Sequence, residues 1–331
     1  MKTAVISFTE RGYALALRLA EALGGTAERL SPPPSLAEWT KAAFERADAI
    51  VFVGAAGIAV RAIAPYVRSK DKDPAVVVVD EAGRFAIPVL SGHLGGANDL
   101  ARRISALIGA IPVITTATDV NGVFAVDEWA KRQNCVVAEV PRIKTISGPL
   151  LARKTVRFFS RWEIAGEVPA GIELSGPEDC DAALTVWQEA EDALHLVPRI
   201  LVLGIGCRKG TPASAIEEAV RRVLAENRLR PEAVAKICSI DLKAEEEGLI
   251  ACAADFGVPF ETFTAAELEA VPGDFTPSAF VSSVTGVDNV CERSAVLGSG
   301  GSLIVKKTAG GGVTVAAALM PYAPDWHWRE E

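Results

Sequence analysis

The chain has 331 residues, of which half are hydrophobic, and its 42 acidic and 34 basic residues give a formal net charge of −8. This length allows two or three packed domains, and the acidic balance excludes the global positive field of a nucleic-acid-binding protein. No apolar run approaches the roughly 20 residues that span a bilayer. The first eight residues are too short for a secretory segment and predict a strand.

The six cysteines are dispersed, with no close pair. This spacing indicates reduced thiols rather than a disulfide framework or a zinc site. Together with the missing membrane signals, it predicts a cytoplasmic protein.

Strands alternate with helices over residues 1–122. Predicted strands cover 3–8, 49–53, 75–80 and 85–90, and predicted helices cover 13–23, 35–46, 58–64 and 101–107. Such alternation predicts a doubly wound, mostly parallel sheet with helices on both faces. Ligands of these sheets bind beyond the carboxyl ends of the strands, where we expect the turns at 54–57 and 91–96.

The second of these turns, Ser91-Gly92-His93-Leu94-Gly95-Gly96, joins an apolar strand to a helix start. Its glycines allow close approach of the backbone to a ligand, and the helix start offers unpaired N–H groups to an anion. His93 can gain or lose a proton near neutrality. The turn is therefore a candidate site for acyl chemistry, although a tight connection whose histidine only caps the helix fits these residues equally well.

The sequence pattern of residues 123–197 predicts a small α+β module and contains no chemical motif. Residues 198–320 again alternate strands and helices, which predicts a second α/β domain, and residues 321–331 predict a surface tail containing His327. The expected fold class is thus α/β, with two doubly wound, mostly parallel three-layer domains and a small α+β module between them.

The second α/β domain opens with a glycine turn, Gly204-Ile205-Gly206-Cys207-Arg208-Lys209-Gly210, with Thr211 as the expected N-cap and Pro212 in the first helical turn. The spacing departs from both the dinucleotide fingerprint and the Walker A loop. Arg208 and Lys209 are candidates for a carboxylate or phosphate clamp, although a solvated basic loop is about as compatible with the spacing.

Three other residues have weaker signals. Cys207 lies beside two cations that would lower the pKa of its thiol, and we favour a packing or substrate-contact role over a nucleophile. Glu292 at a helix start fits a dipole-favoured residue as well as a ligand contact. His195 has no partner in sequence, and such dispersed ligand types predict no metal site.

Several motifs in order make the chain resemble the CbiG family. The N-terminal motifs are Gly57-Ile58-Ala59-Val60-Arg61, Lys72-Asp73-Pro74, Leu90-Ser91-Gly92-His93-Leu94-Gly95-Gly96-Ala97-Asn98 and Pro112-Val113-Ile114-Thr115-Thr116-Ala117-Thr118-Asp119. The C-terminal motifs are Gly204 to Arg208, Ser239 to Lys243, Val284 to Glu292 and Lys307 to Gly310. Arg293-Ser294 departs from the small residues that are usual there.

The resemblance implies a cobalt-precorrin-5A hydrolase activity of anaerobic cobalamin biosynthesis, an EC 3.7.1-type hydrolysis of a lactone and a carbon–carbon bond. Such enzymes open the δ-lactone of a ring-contracted cobalt corrinoid and release acetaldehyde, giving cobalt-precorrin-5B. The cobalt belongs to the substrate, so we expect no cofactor. The expected partners are this corrinoid, transient contacts with neighbouring enzymes and a homodimer, with no nucleic acid and no membrane.

On this hypothesis His93 is the general base, and Asn98 or Asp99 orients it or the water. The N–H groups of Gly95 and Gly96 stabilise the oxyanion. The expected substrate contacts are Arg61, Ser91, Cys207, Arg208, Lys209 and Glu292, with Arg68 and Lys70 adding positive charge. A non-catalytic tetrapyrrole carrier or scaffold and, on weaker grounds, a nucleotide-binding regulator are the alternatives.

Overall fold

The computed structural model describes residues 2–69, 72–278, 282–283 and 285–328. The chain divides into two compact units. The first holds the chain up to Trp129 together with Leu150–Ala152, and the second holds the remainder from Ala130. The mostly parallel α/β architecture expected from the sequence is confirmed in the described residues.

The first unit contains a six-stranded sheet in the order β2-β1-β3-β4-β5-β6. Its strands are β1 Thr3–Ser7, β2 Thr26–Arg29, β3 Ala49–Val53, β4 Ala75–Val79, β5 Phe85–Leu90 and β6 Ile111–Pro112. The helices up to its boundary are α1 Glu10–Leu23, α2 Leu36–Arg46, α3 Ala56–Ile63, α4 Ala97–Ile108, α5 Ala117–Asn121 and α6 Val126–Arg132. The sequence pattern missed β2, which is short and polar.

Helices cover both faces of this sheet because its central strands are apolar on both sides. Val77 packs with Leu19 of α1 and Leu100 of α4. Val76, its neighbour in β4, packs on the opposite face with Trp39 of α2 and with α3. The three-layer arrangement thus follows directly from strands without alternating polarity.

Strand β5 runs antiparallel to β4, whereas β1, β3 and β4 are mutually parallel. A tight turn after Asp80 causes the reversal: Asp80 Oδ1 accepts hydrogen bonds from the N–H groups of Arg84 and Phe85, both at 2.7 Å, and Gly83 has φ +68°. The 54–57 and 91–96 turns therefore lie at opposite ends of the strands, on opposite sides of the sheet. As expected, each turn follows the carboxyl end of its strand, β3 or β5; the antiparallel direction of β5 separates them, because β5 ends at the side of the sheet where β3 and β4 begin.

The second unit holds two five-stranded sheets, in the orders β7-β11-β10-β8-β9 and β14-β13-β12-β16-β15. The first consists of β7 Cys135–Val137, β8 Val156–Ser160, β9 Ile172–Leu174, β10 Ala182–Leu184 and β11 Leu194–Pro198. The second consists of β12 Leu201–Cys207, β13 Val234–Ile240, β14 Phe260–Phe263, β15 Ser302–Gly310 and β16 Val313–Leu319. Further helices in the described part of the chain are α7 Ile143–Leu151, α8 Ala213–Glu226, α9 Glu247–Asp255, α10 Ala265–Glu269 and α11 Cys291–Ser299.

One continuous core joins these two sheets. Val186 and Val197, from the region of the first, lie in the same buried cluster as Leu203 of β12 and Val220 of α8. The module that the sequence set apart at 123–197 is therefore largely packed into the second unit, although its boundaries remain a prediction.

The chain after β16 packs against the first of these sheets rather than extending from the surface. Trp326 is 3% exposed and meets the ring of Phe158 edge-on at 5.1 Å. Tyr322 packs against Trp162 and donates its hydroxyl proton to the Gln133 carbonyl at 2.9 Å. The prediction of a surface tail was wrong, because burial of these aromatic rings removes a large apolar area from water.

In the described part of the chain, no helix is both long enough and apolar enough to cross a membrane.

Candidate active site around His93

The reversal of β5 brings His93 to the residues that follow β6. Strands β5 and β6 are parallel, so their carboxyl ends meet at the same edge of the sheet. The loop 91–96 follows β5, and Thr116 and Asp119 follow β6 at the start of α5. Residues 26 positions apart therefore become direct neighbours.

Both ring nitrogens of His93 face carboxylates. Nε2 lies 2.9 Å from Asp119 Oδ2, and Nδ1 lies 3.3 Å from Asp127 Oδ1. Burial by itself would lower the pKa of His93. The bonds to Asp119 and Asp127 and the nearby charges of Asp127 and Glu128 outweigh burial and raise this pKa to about 10. The imidazole is therefore a cation at neutral pH.

Four donors converge on Asp119. Oδ2 receives the Nε2 proton of His93, an Asn98 Nδ2 proton at 3.1 Å and the Thr116 hydroxyl, and Oδ1 receives Arg102 Nη2. Burial raises the pKa of Asp119, but these donors and the positive charges hold it far below the usual range. Asp119 is thus a permanently ionised anchor for the loop.

Arg102, one turn into α4, links the other carboxylates of this cluster. Its Nη1 lies 3.0 Å from Asp99 Oδ1 and 3.3 Å from Glu128 Oε1. Glu128 is 3% exposed. Burial, with the charge of Asp99 adding to it, raises the pKa of Glu128 to about 7, against the opposing effect of His93 and Arg102. One carboxyl group of the cluster is therefore set to titrate near neutrality.

These contacts correct the role predicted for His93. A general base must be unprotonated when it acts, and an imidazolium with both N–H groups directed at carboxylates does not meet that condition. The cation can instead donate a hydrogen bond or a proton. The Nδ1 bond is the longer of the two and is the one more easily exchanged for a substrate oxygen.

Two further predictions at this loop also change. The N–H of Gly96 donates to the His93 carbonyl at 2.9 Å, so it is not free for an oxyanion. The N–H of Gly95 has no hydrogen-bond acceptor among the described residues. A Cβ at Gly95 would lie 2.3 Å from the Ser91 Cβ, so this glycine serves close packing. Asn98 orients Asp119, while Asp99 pairs with Arg102.

Ser91 is buried in this loop with φ +55°, and its hydroxyl oxygen has no hydrogen-bond partner in the described structure. It remains a candidate substrate contact.

The Arg61 guanidinium lies beside Gly57, at the end of the strands opposite the His93 loop. Arg61 therefore does not join this cluster. Lys70 lies outside the described residues, and Arg68 is exposed.

His93, Asp119 and Glu128 each present an atom of the kind that binds metal ions, and these atoms lie within 4.8 Å of one another. Arg102 already supplies positive charge to both carboxylates. We therefore interpret the cluster as an ion-pair network.

The predicted clamp of the second unit lies at the end of β12. Arg208 and Lys209 are exposed, and Lys209 lines a cavity of about 700 Å³ with Lys243 and Glu246. Helix α8 begins only at Ala213, with Pro212 rather than Thr211 at its N-cap position. The Thr211 hydroxyl donates to the Arg208 carbonyl at 2.7 Å, so the N-cap prediction was wrong.

The expected lowering of the Cys207 pKa was wrong: burial raises the pKa of this thiol in spite of Lys243. Cys207 packs against the core of this unit, which agrees with the packing role that we favoured over a nucleophile. The prediction for Glu292 needs correction. Glu292 is fully buried and accepts bonds from Thr276, Asn289 and the N–H of Lys307. Its interior position supports the chain around α11 and offers no contact to a substrate.

His195, for which the sequence showed no partner, finds its partners only in the fold. It is 1% exposed, with Nδ1 3.0 Å from Glu139 Oε1 and Nε2 2.7 Å from the Glu189 carbonyl. Both ring nitrogens of this buried histidine thus have hydrogen-bond partners, as is typical of a histidine in a protein core.

Sequence patterns did not reveal four members of the site: Arg102, Asp119, Asp127 and Glu128. Asp119 was visible as the last residue of a motif, Pro112 to Asp119, directly after a strand. Asp127 and Glu128 open a helix, where acidic residues are common because of the helix dipole, so nothing in their spacing set them apart.

Two family models match the chain: "Cobalamin synthesis G N-terminal" over residues 38–119 and "Cobalamin synthesis G C-terminus" over residues 201–318. The cobalt-precorrin-5A hydrolase of Salmonella typhimurium is 37% identical and aligns over 96% of this chain and 97% of its own length. The cobalt-precorrin-5A hydrolase of Priestia megaterium is 35% identical over 84% of this chain and 80% of its own.

A crystal structure described as a cobalamin biosynthesis protein G homolog from Sulfolobus solfataricus is 25% identical. It covers 97% of each chain with a TM-score of 0.43.

Proposed function

The chain belongs to the CbiG family, and from that premise we propose that it is a cobalt-precorrin-5A hydrolase. The observation that carries this proposal is the match to the Salmonella hydrolase, which spans nearly all of both chains. The substrate is then a cobalt corrinoid whose metal arrives with it, and the reaction is an EC 3.7.1-type hydrolysis.

The first step is the opening of the δ-lactone. Water adds to the acyl carbon, the acyl C–O bond of the ring breaks, and the proton taken from the water is returned to the departing alkoxide. We assign to the His93 cation the stabilisation of the carbonyl oxygen as it gains negative charge, through the Nδ1 proton. Removing one such donor typically costs about 10²–10³ in rate.

The second step releases acetaldehyde. The hydroxyl group freed by lactone opening gives up its proton as the carbon–carbon bond to the macrocycle breaks. The electron pair of that bond stays with the macrocycle, which takes up a proton. A donor and an acceptor of protons held side by side can serve both steps.

Substrate recognition needs positive charge, because the corrinoid carries many carboxylates and the chain is acidic overall. Arg208 and Lys209 are exposed, and Lys209 lines a cavity. Both can pair with such carboxylates, the arginine through two parallel hydrogen bonds. We therefore propose that the Gly204–Gly210 turn binds peripheral carboxylates.

Turnover of cobalt-precorrin-5A tests the function. The expected result is one acetaldehyde per corrinoid, measured by reduction with alcohol dehydrogenase and NADH, together with the matching mass loss of the corrinoid. Tight binding of the corrinoid without acetaldehyde would instead identify a carrier. A homodimer remains a prediction, which light scattering on the purified protein can test. Contacts with neighbouring enzymes also remain a prediction.

A further inference from the structure

Glu128 is a buried carboxyl group that the steps above leave without a role. It lies in the first turn of α6, 3% exposed, with one oxygen 3.3 Å from Arg102 Nη1. A carboxylate oxygen of Glu128 also lies within 4.8 Å of a ring nitrogen of His93. The side chain is therefore part of the ion-pair network, and one of its oxygens is close enough to the imidazole for a single water to bridge them.

The other acidic groups of the network are poor proton acceptors. Asp119 receives bonds from four donors, and each bond favours its ionised form. Asp127 Oδ1 lies 3.3 Å from Nδ1 of His93, and it stays beside this positive ring when the Nδ1 proton turns to the substrate; the adjacent cation favours its ionised form. His93 is already a cation. Lactone opening nevertheless requires a group that takes a proton from water.

We propose that Glu128 accepts the proton of the water that attacks the lactone. The proposal deepens the proposed function and rests on it. The O–H bond of the water breaks as its oxygen bonds to the acyl carbon, and the proton passes to the Glu128 carboxylate directly or through one bridging water. When the acyl C–O bond breaks, Glu128 returns this proton to the alkoxide, so that the enzyme is regenerated and one water has been added.

Charged groups from every neighbouring element face Glu128. They are Asp99 and Arg102 on α4, Asp119 on α5 and His93 on the loop. Asp127, the preceding residue of α6, faces His93. Burial and the charge of Asp99 place the pKa of Glu128 near 7. A carboxyl group tuned in this way loses its acceptor capacity as the pH falls through that value, so kcat/KM should decline on the acid side with an apparent pKa near 7.

The main test is the pH profile of kcat/KM for acetaldehyde release by the wild type and by Glu128→Gln. The expected result is a loss of about 10²–10⁴ in rate at pH 8, with the acid limb abolished. Glu21→Gln, which changes an exposed glutamate of α1, is the control and should keep the wild-type profile. A Glu128→Gln variant that retains the acid limb would overturn the proposal.

A second variant remains informative if Glu128→Gln does not fold. Asp99→Asn removes a negative charge that raises the pKa of Glu128. It also removes the charge that competes for Arg102, so the guanidinium stabilises the Glu128 carboxylate more strongly. The acid limb should therefore move to lower pH. A limb that stays in place would contradict the role of Glu128. A wild type with no turnover at any pH would instead reject the proposed function itself.

Discussion

His93 and Asp119 are joined through Nε2 and Oδ2 at 2.9 Å, although 26 residues separate them in the chain. This pair makes the imidazole a cation and fixes the carboxylate as an anion. The chemistry of the loop follows from that charge state, because a protonated imidazole can donate but not accept.

Replacing His93 tests the donor role. His93→Ala and His93→Gln should lower kcat by about 10²–10³ while binding of the corrinoid changes little, since one transition-state donor is lost. The measurement is steady-state acetaldehyde release. His327→Ala, in an exposed position, is the control, and near-normal turnover of folded His93→Ala would remove the imidazole from the chemistry.

The stability of the protein should depend on the His93 charge. Its pKa is raised from about 6.5 to about 10 on folding, so the stabilisation is fully present below pH 6.5 and is lost as the pH rises towards 10. The difference in Tm between the wild type and His93→Gln should therefore be larger at pH 6 than at pH 9.5, by at least ~3 °C. Thermal unfolding at both values measures it, and an unchanged difference would show that His93 is not paired as a cation.

Asn98 should act through Asp119. Its amide donates to Asp119 Oδ2 and to Thr116 Oγ1, both at 3.1 Å, from a position only 2% exposed. Asn98→Ala should destabilise the fold by about 1–3 kcal/mol and lower kcat more than it raises KM. Asn121→Ala, which changes an exposed residue of α5, provides the comparison. A variant with normal kcat would show that Asp119 holds His93 without this amide.

Arg208 and Lys209 should affect binding rather than chemistry. Arg208→Ala with Lys209→Ala should raise KM about tenfold or more, because charged hydrogen bonds are worth roughly 1.5–3 kcal/mol each, with a smaller change in kcat. Arg18→Ala, on the exposed side of α1, controls for lost charge. A fall in kcat at constant KM would contradict the assignment of this turn to carboxylate binding.

Chelators should leave turnover intact. Arg102 supplies positive charge to Asp119 and Glu128, so an ion is not required to hold them together, and the corrin ring retains its own cobalt. Acetaldehyde release should be equal before and after prolonged dialysis against EDTA. A loss of activity that zinc or magnesium restores would show that the cluster of His93, Asp119 and Glu128 binds a metal.

The sequence predicted the architecture better than the site. Apolar strands such as Ala49–Val53 and Ala75–Val79 allow only a sheet covered on both faces, and the glycine turn around His93 was visible as a candidate. The reversal at Asp80 was not, because it depends on hydrogen bonds that two backbone N–H groups donate to one oxygen of this carboxylate. The charge state of His93 also escaped prediction, since Asp119 and Asp127 reach it only after folding.

The two hydrogen bonds that Asp80 accepts where β5 reverses have a practical consequence. Because β5 is reversed, the His93 loop lies on the side of the first sheet remote from the turn at residues 54–57, so the two sides can be altered separately. A label or surface attachment introduced beside that turn, for example at Val60, which is half exposed, would tether the enzyme while leaving the opposite rim open to its substrate.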